Sequence, residues 1–156
     1  MSQHRFGMEA ALGEAEQALA EGNLPIGAVI VLDGEVVARG RNGIDSHEND
    51  THHAELFALQ SVHRLLYRNK RRATVYTTLE PCMMCLGAIV NVGITRIVYG
   101  ASDPWVGATA LLAHGPYYAG KQIEISAGVL EDRCLDLLDL YAQRTGQRRH
   151  LARAGR

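Results

Sequence analysis

Two short groups of polar residues, each at the start of a predicted helix, constrain the fold most strongly. The sequence HAE occupies positions 53–55 and PCMMC occupies 81–85, so that Cys82 comes 29 positions after His53. Imidazole and thiolate are good zinc ligands, and a catalytic zinc uses three protein ligands and keeps a fourth position for water. His53, Cys82 and Cys85 supply three ligands. The fold must therefore bring the starts of these two helices together around one Zn²⁺ per chain.

Glu55 is the neighbour of this group that carries a carboxylate. It follows His53 by two residues, which is about 200° around a helix of 3.6 residues per turn, so it does not share the metal position of His53. It is instead placed to reach a water molecule beside the metal. Zinc lowers the pKa of bound water to about 7, and a nearby carboxylate takes up and passes on such protons. We therefore predict that Glu55 is the catalytic acid–base residue and not a ligand.

The rest of the chain alternates between helical and strand patterns. Apolar residues at helical spacing predict helices over 4–21, 53–67, 82–92 and 130–145. Runs that are apolar or rich in β-branched residues predict strands over 26–32, 35–40, 73–79, 95–100 and 122–126. This order predicts an α/β fold with three α/β/α layers, in which a mixed five-stranded sheet carries helices on both faces.

Length, composition and the termini limit the domain organisation and the compartment. The 156 residues predict a single domain, 1–156, with a frayed tail after about residue 146. The N-terminus lacks the pattern of a signal peptide, and no apolar run approaches the roughly 18 residues that span a bilayer. We therefore expect a cytoplasmic protein with no membrane partner. Cys134, on the apolar face of the last predicted helix, is expected in the core.

The two motifs match the His-x-Glu and Pro-Cys-x-x-Cys signature of zinc deaminases, and the chain resembles the cytidine deaminase-like superfamily. Within it, the sequence looks closest to tRNA adenosine deaminases, fungal-type cytosine deaminases and small nucleobase deaminases. Further matches extend over nearly the whole chain: LPIGA at 24–28, RGRN at 39–42, YTTLE at 76–80 and GAI at 87–89. The resemblance implies a zinc-dependent aminohydrolase, which adds water to a cyclic amidine carbon and releases ammonia through a tetrahedral intermediate.

The same resemblance implies the substrate contacts. Asn42 would hydrogen-bond the substrate ring, the backbone N–H of Ala54 would meet a ring carbonyl or nitrogen, and Pro25 would line the floor of the pocket. Asp103 matches the loop of tRNA deaminases and is a further candidate substrate contact. The resemblance also implies a homodimer, which is the commonest assembly of soluble proteins.

Several of these residues have alternative explanations. Loop asparagines such as Asn42 often serve turns. Trp105, Tyr117 and Tyr118 are suited to stacking on a base or to packing in a dimer interface, and Trp105 is favoured for substrate because it closely follows the fourth strand. A structural zinc site needs a fourth Cys or His, and a redox Cys-x-x-Cys leaves the HAE motif unexplained.

Charge and the loop around Trp105 guide the choice of substrate. Lys and Arg number 16 against 17 Asp and Glu, and basic residues concentrate only at 64–72 and 144–156. RNA binding needs a basic surface, and a bulky Trp105 would cap a pocket too small for a polynucleotide. These features favour a free nucleobase or close analogue, of cytosine, guanine or triazine type, as the substrate. Adenosine in a tRNA loop is the alternative.

A hypothesis from another class is a non-catalytic, zinc-containing partner subunit. Such a protein would keep the metal ligands for structural reasons. Glu55 argues against this hypothesis, because a protein that only binds needs no proton shuttle.

Overall fold

A computed structural model describes residues 2–151 and has a five-stranded sheet at its centre, in the order β2-β1-β3-β4-β5. The strands are β1 Gly27–Leu32, β2 Glu35–Arg41, β3 Ala73–Leu79, β4 Arg96–Ala101 and β5 Glu124–Ser126. β1 is antiparallel to both β2 and β3, whereas β4 is parallel to both β3 and β5. The predicted mixed sheet is confirmed.

Helices cover both faces of this sheet. Within residues 2–151 they are α1 Ser2–Ala20, α2 Ile44–His47, α3 Ala54–Ser61, α4 His63–Asn69, α5 Met83–Val92, α6 Pro116–Ala119 and α7 Glu131–Thr145. Successive residues of β1 point to opposite faces: Ile30 packs with the cluster beneath α3 and α5, and Val29 packs with the cluster beneath α1 and α7. The three-layer α/β/α architecture is therefore confirmed, and none of the described helices is long and apolar enough to cross a membrane.

The helix predicted over 53–67 is interrupted in the structure. Val62 leaves the helical region, with φ −124° and ψ 21°, and separates α3 from α4. Two local features favour the break. The hydroxyl of Ser61 donates a hydrogen bond to the carbonyl of Ala58 at 2.8 Å, and Val62 is β-branched and so restricted at χ1 in a helix.

The last strand and the C-terminal region also differ from the sequence pattern. Gln122 has a positive φ of 37°, which excludes it from the strand, so β5 begins only at Glu124. After α7, Gly146 adopts a left-handed conformation and the chain forms a 3₁₀ turn over Arg149–Leu151. Leu151 packs against the core cluster beneath α1 and α7. The remainder of the predicted frayed tail, 152–156, lies outside the described residues.

Candidate zinc site and active-site cavity

The three predicted ligands meet where α3 and α5 begin. His53 is the N-cap of α3, Cys82 is the N-cap of α5, and Cys85 lies in the first turn of α5. Nδ1 of His53 is 3.7 Å from Sγ of Cys82 and 3.5 Å from Sγ of Cys85. The three atoms lie within 4.8 Å of one another. Two helix N-termini therefore present one nitrogen and two sulfur atoms to a common point.

These distances fit a tetrahedral zinc ion. Zn–S bonds of about 2.3 Å and Zn–N bonds of about 2.0–2.1 Å, at a tetrahedral angle, place nitrogen and sulfur roughly 3.6 Å apart. Over the described part of the chain, no other group of His, Cys, Asp or Glu side chains is arranged to hold a metal ion. The group is therefore positioned for a single ion, with three protein ligands and one open position.

Hydrogen bonding between the two cysteines shifts the pKa values of their thiols in opposite directions. A hydrogen bond from Cys85 lowers the pKa of Cys82 to about 4, and His53 lowers it further against the opposing effect of burial. The same contact, together with burial, raises the pKa of Cys85. The contact with Cys82 also raises the pKa of His53. The contacts therefore favour the thiolate form of Cys82, which is the form that binds a metal ion.

Glu55 lies in the first turn of α3, beside the ligand group. It is 4% exposed and lines the same cavity as His53 and Cys82. The hydroxyl of Thr77, on β3, donates a hydrogen bond to Oε1 of Glu55 at 3.3 Å. Burial raises the pKa of Glu55 above its usual range. A carboxylate with a raised pKa is suited to both accepting and releasing a proton near neutral pH.

A glycine allows α3 to approach the sheet closely enough to place these groups. A Cβ atom at Gly40, on β2, would lie 2.1 Å from the carbonyl oxygen of Ala54 and 2.8 Å from the nitrogen of Ala58. Only a residue without a side chain avoids this overlap with helix backbone. Gly40 therefore fixes the depth of the start of α3, which carries the ligand His53 and the carboxylate of Glu55.

A cavity of about 270 Å³ lies beside the ligand group. This volume is below the roughly 300–1,000 Å³ of pockets for drug-sized ligands, so it suits a single heterocyclic base. Besides the metal motif and Glu55, its lining comes mainly from loops and strand ends: Leu24, Ile26, Asn42, Ile44, Leu79, Glu80, Asp103, Trp105, Val106 and His150.

Asn42, Ala54 and Pro25 occupy different positions relative to this cavity. Asn42 is buried in the lining, and its Oδ1 accepts a hydrogen bond from the N–H of Ile44 at 3.2 Å, as in a turn. Ala54 is the first residue of α3, so its N–H has no partner within the helix. Pro25 is buried but is not part of the lining. It lies at the centre of a tight turn, closed by a hydrogen bond of 2.7 Å between its two neighbours, and those neighbours reach the cavity.

Asp103 lines the cavity, but both of its oxygens are engaged by the protein. Oδ1 accepts the N–H groups of Trp105 and Val106 at 2.9 and 3.1 Å, and Oδ2 accepts a hydrogen bond from Nδ1 of His150 at 2.7 Å. Burial raises the pKa of Asp103, but the hydrogen bonds from His150 and the two amides outweigh burial and hold the pKa below its usual value. Asp103 is therefore a structural support of the cavity wall.

Two residues of the wall were not identified from the sequence. Glu80 immediately precedes the Pro-Cys motif, and its two oxygens accept hydrogen bonds at 3.1 Å from the N–H groups of Asp103 and Thr109. His150, near the C-terminal end of the described residues, also lines the cavity. Only the position of Glu80 within the YTTLE match was a signal in the sequence. Tyr117 and Tyr118, in contrast, do not line this cavity.

Comparisons with known proteins agree with this geometry. A family model for the cytidine and deoxycytidylate deaminase zinc-binding region matches residues 1–101. A tRNA-specific adenosine deaminase of Bacillus subtilis (strain 168) is 34% identical over 156 residues, which cover 98% of this chain and 97% of that protein. A structure from studies of A-to-I editing by tRNA:A34 deaminases at the wobble position of transfer RNA is 36% identical. It matches 85% of this chain and 99% of that chain with a TM-score of 0.77.

The fold and the ligand group thus define a zinc-dependent hydrolytic deaminase. The chain belongs to the cytidine and deoxycytidylate deaminase family, because the family model matches well over half of its length. The predicted family and the predicted zinc cofactor are therefore both confirmed.

The expectation of a free nucleobase as the substrate is wrong. Relatives that match nearly the full length at 30–34% identity are tRNA-specific adenosine deaminases, whereas a guanine deaminase structure from Bacillus subtilis matches 64% of this chain with a TM-score of 0.59. The near-zero net charge of the chain was a poor guide to the substrate. Net charge averages the whole surface, whereas RNA binding in general depends on the cations that lie beside the binding site. Trp105 lines the cavity but is 55% exposed, so its bulk alone does not exclude a polynucleotide.

Proposed function

We propose that this chain converts adenosine to inosine in a tRNA loop. The observation that carries the proposal is the buried Glu55 beside three metal-ligand atoms, in a cavity with room for one base. The choice of substrate is supported by the nearly full-length similarity to a tRNA-specific adenosine deaminase. An adenine that is turned out of an RNA loop would occupy the cavity while the rest of the RNA stays outside.

The substrate ring would be oriented by Asn42 and by the start of α3. Because Oδ1 of Asn42 already accepts a hydrogen bond from Ile44, its NH₂ group is the end that would donate to a ring nitrogen. The N–H of Ala54 would donate to a second ring acceptor. Two fixed donors of this kind would hold the reacting carbon next to the group formed by His53, Cys82 and Cys85.

Glu55 would carry the protons of the reaction. When bound, zinc acidifies a water molecule and so supplies the nucleophile. Glu55 would take a proton from this water and deliver it to the departing amino group, while a C–O bond forms at C6 of adenine and the C–N bond breaks. The products are inosine and ammonia. Thr77 would help to orient the carboxylate through its hydrogen bond to Oε1.

The test is ammonia release from a panel of free bases, nucleosides and a tRNA stem-loop. We expect the wild-type protein, without a partner protein, to release ammonia from the stem-loop. Its kcat/KM for free bases should be at least about a hundredfold lower. Activity on a free base that equals the activity on the stem-loop would contradict the proposed substrate. No activity on any substrate, with zinc bound, would favour the non-catalytic partner subunit instead.

We also propose that the chain is a homodimer, formed through the face that α3, α4 and α5 present. This face exposes five large apolar side chains: Phe57, Leu65, Tyr67, Met83 and Met84. A second copy would cover them, and a stable interface needs about 800 Å² from each partner. Sedimentation should show a dimer that Tyr67→Glu or Met83→Glu converts to monomer. Leu140→Glu, an exposed position on α7 on the opposite side of the sheet, is the matched control, and a monomeric wild-type protein would contradict the proposal.

A further inference from the structure

Part of the cavity wall comes from two segments that lie far apart in the sequence. We call them together the loop wall: the loop 102–109 and the 3₁₀ turn Arg149–Leu151. His150 joins the two segments through its hydrogen bond of 2.7 Å to Asp103, and its ring meets the ring of Trp105 edge-on, with 5.6 Å between centroids. The C-terminal turn is thus built into the edge of the active-site cavity.

Trp105 is held firmly within the loop wall and is nevertheless exposed. The backbone N–H of Trp105 donates to Oδ1 of Asp103 at 2.9 Å, and the backbone N–H of Asp103 donates to Oε2 of Glu80 at 3.1 Å. The residue is 55% exposed, although it lines the cavity. A large aromatic ring with a fixed backbone and a free surface, at the mouth of a cavity, is well suited to stacking on a flat ligand.

A cation lies on the same ring. The guanidinium carbon of Arg149 is 4.9 Å from the centroid of the Trp105 ring, within the range of a cation–π contact, and Arg149 is exposed to solvent. Guanidinium groups bind phosphate through paired N–H donors. An exposed indole and a guanidinium that lies over its ring therefore occur together at the cavity mouth, and aromatic rings with cationic groups are the combination that binds single-stranded nucleic acid.

We propose that Trp105 and Arg149 form a second subsite, which binds the nucleotide next to the target adenosine. The neighbouring base stacks on the indole, and its phosphate pairs with Arg149. This inference rests on the proposed function, because only a polynucleotide presents a second base while the first occupies the cavity. The cavity of about 270 Å³ holds one base, so the neighbouring base must lie outside it. A free nucleobase offers no second base to stack on Trp105 and no phosphate to pair with Arg149.

The fluorescence of Trp105 offers a direct test, because Trp105 is the sole tryptophan among the 156 residues. A tRNA stem-loop is titrated against the zinc-loaded protein, in its intact form and with an abasic nucleotide on the 5′ or on the 3′ side of the target. We expect intact RNA to quench the fluorescence and one of the two abasic RNAs to lose most of the quenching. That RNA should also show a KM about ten-fold higher. Equal quenching by all three RNAs would overturn the subsite.

Variants of the two residues complete the test. Trp105→Ala should raise KM for the intact stem-loop about ten-fold, and the abasic change should then have little further effect, because both remove the same contact. Arg149→Ala should weaken RNA binding and lower the salt dependence of Kd more than Arg148→Ala, which removes the same charge from the neighbouring exposed position. Equal effects of the two arginine variants would contradict a specific role for Arg149.

The subsite and the proposed reaction fail in distinguishable ways. Fluorescence quenching reports binding at Trp105 without any need for deamination. RNA that quenches in the base-dependent manner but releases no ammonia would contradict the proposed function and support the subsite. RNA that is deaminated without quenching would support the function and overturn the subsite, and RNA that does neither would overturn both.

Discussion

The two sides of the active-site cavity are built in different ways. The metal end consists of the first turns of α3 and α5, which carry His53, Glu55, Cys82 and Cys85. The loop wall instead depends on a contact between Asp103 and His150, which are 47 positions apart, and on the anchoring of the loop by Glu80. Local spacing along two helices thus sets the metal end, whereas tertiary hydrogen bonds set the loop wall.

This difference indicates a division of labour. In the proposed function, the metal end holds the ion and the proton carrier, so changes there should abolish metal binding or catalysis. The loop wall holds no metal ligand, so changes there should alter RNA binding while zinc stays in place.

Cys85→Ala should remove zinc from the protein and lower its thermal stability. Cys85 is one of three ligands and is fully buried, so the change removes a metal bond and leaves a cavity in the core. Zinc content by elemental mass spectrometry should fall to background. Cys134→Ala is the matched control, because Cys134 is also a buried cysteine but lies on the core-facing side of α7, on the other face of the sheet from the metal ligands. If the Cys85→Ala variant retained its full zinc content, the role of Cys85 as a zinc ligand would be contradicted.

Gly40→Ala should destabilise the protein by about 1–3 kcal/mol and weaken zinc binding. The added Cβ would lie 2.1 Å from the carbonyl oxygen of Ala54, so α3 would have to move away from β2 and carry His53 with it. Urea unfolding and a zinc-chelator competition measure the two effects. Gly13→Ala, in α1, is the control, since no atom lies within 4 Å of the added Cβ there. Equal stability of the two variants would show that α3 tolerates the shift.

Glu80→Gln should raise KM for the stem-loop roughly ten-fold and leave the zinc content unchanged. Both oxygens of Glu80 accept hydrogen bonds from backbone N–H groups, those of Asp103 and Thr109. In the glutamine variant an NH₂ group would face one of these N–H donors, so one hydrogen bond would be lost and the loop would be less firmly held. Steady-state kinetics, with zinc measured on the same samples, provide the check. Loss of zinc in this variant would mean that the loop wall and the metal end are not separable.

Asp103 should give the smallest effect, a pH-dependent stabilisation of the loop wall. Burial raises the pKa of Asp103, but the hydrogen bonds from His150 and the backbone outweigh it, so the folded-state pKa lies below its usual value. The stabilisation is therefore complete above about pH 4 and is lost as pH falls through the folded pKa. Urea unfolding of wild type and Asp103→Asn should differ most near neutral pH and converge in acid. A constant difference at all pH values would contradict the pairing.

The sequence predicted the metal end well because its information is local. His53, Cys82 and Cys85 follow the spacing that helix N-termini impose, and the structure places their ligand atoms within 4.8 Å of one another. The strands were predicted for a similar reason, since each depends on a short apolar run. The break at Val62 and the late start of β5 at Glu124 were missed, because single backbone conformations decide them.

The loop wall could not be predicted, since no local pattern links its parts. Nothing near His150 in the sequence indicates a contact with Asp103. The bulk of Trp105 suggested a cap over the cavity, because the sequence does not show how exposed the side chain is in the fold. The substrate was therefore assigned wrongly, while the zinc cofactor and the deaminase family were assigned correctly. Substrate choice depends on surfaces brought together by folding, and those are the features that a single sequence reveals least.

The most direct test of the account is inosine formation by Glu55→Gln on a tRNA stem-loop, with bound zinc measured on the same sample. We expect kcat to fall by about 10² to 10⁴ while zinc remains bound, because the variant keeps the size of the side chain but removes the proton carrier. Full activity of the zinc-loaded variant would contradict the role of Glu55 and, with it, the proposed mechanism.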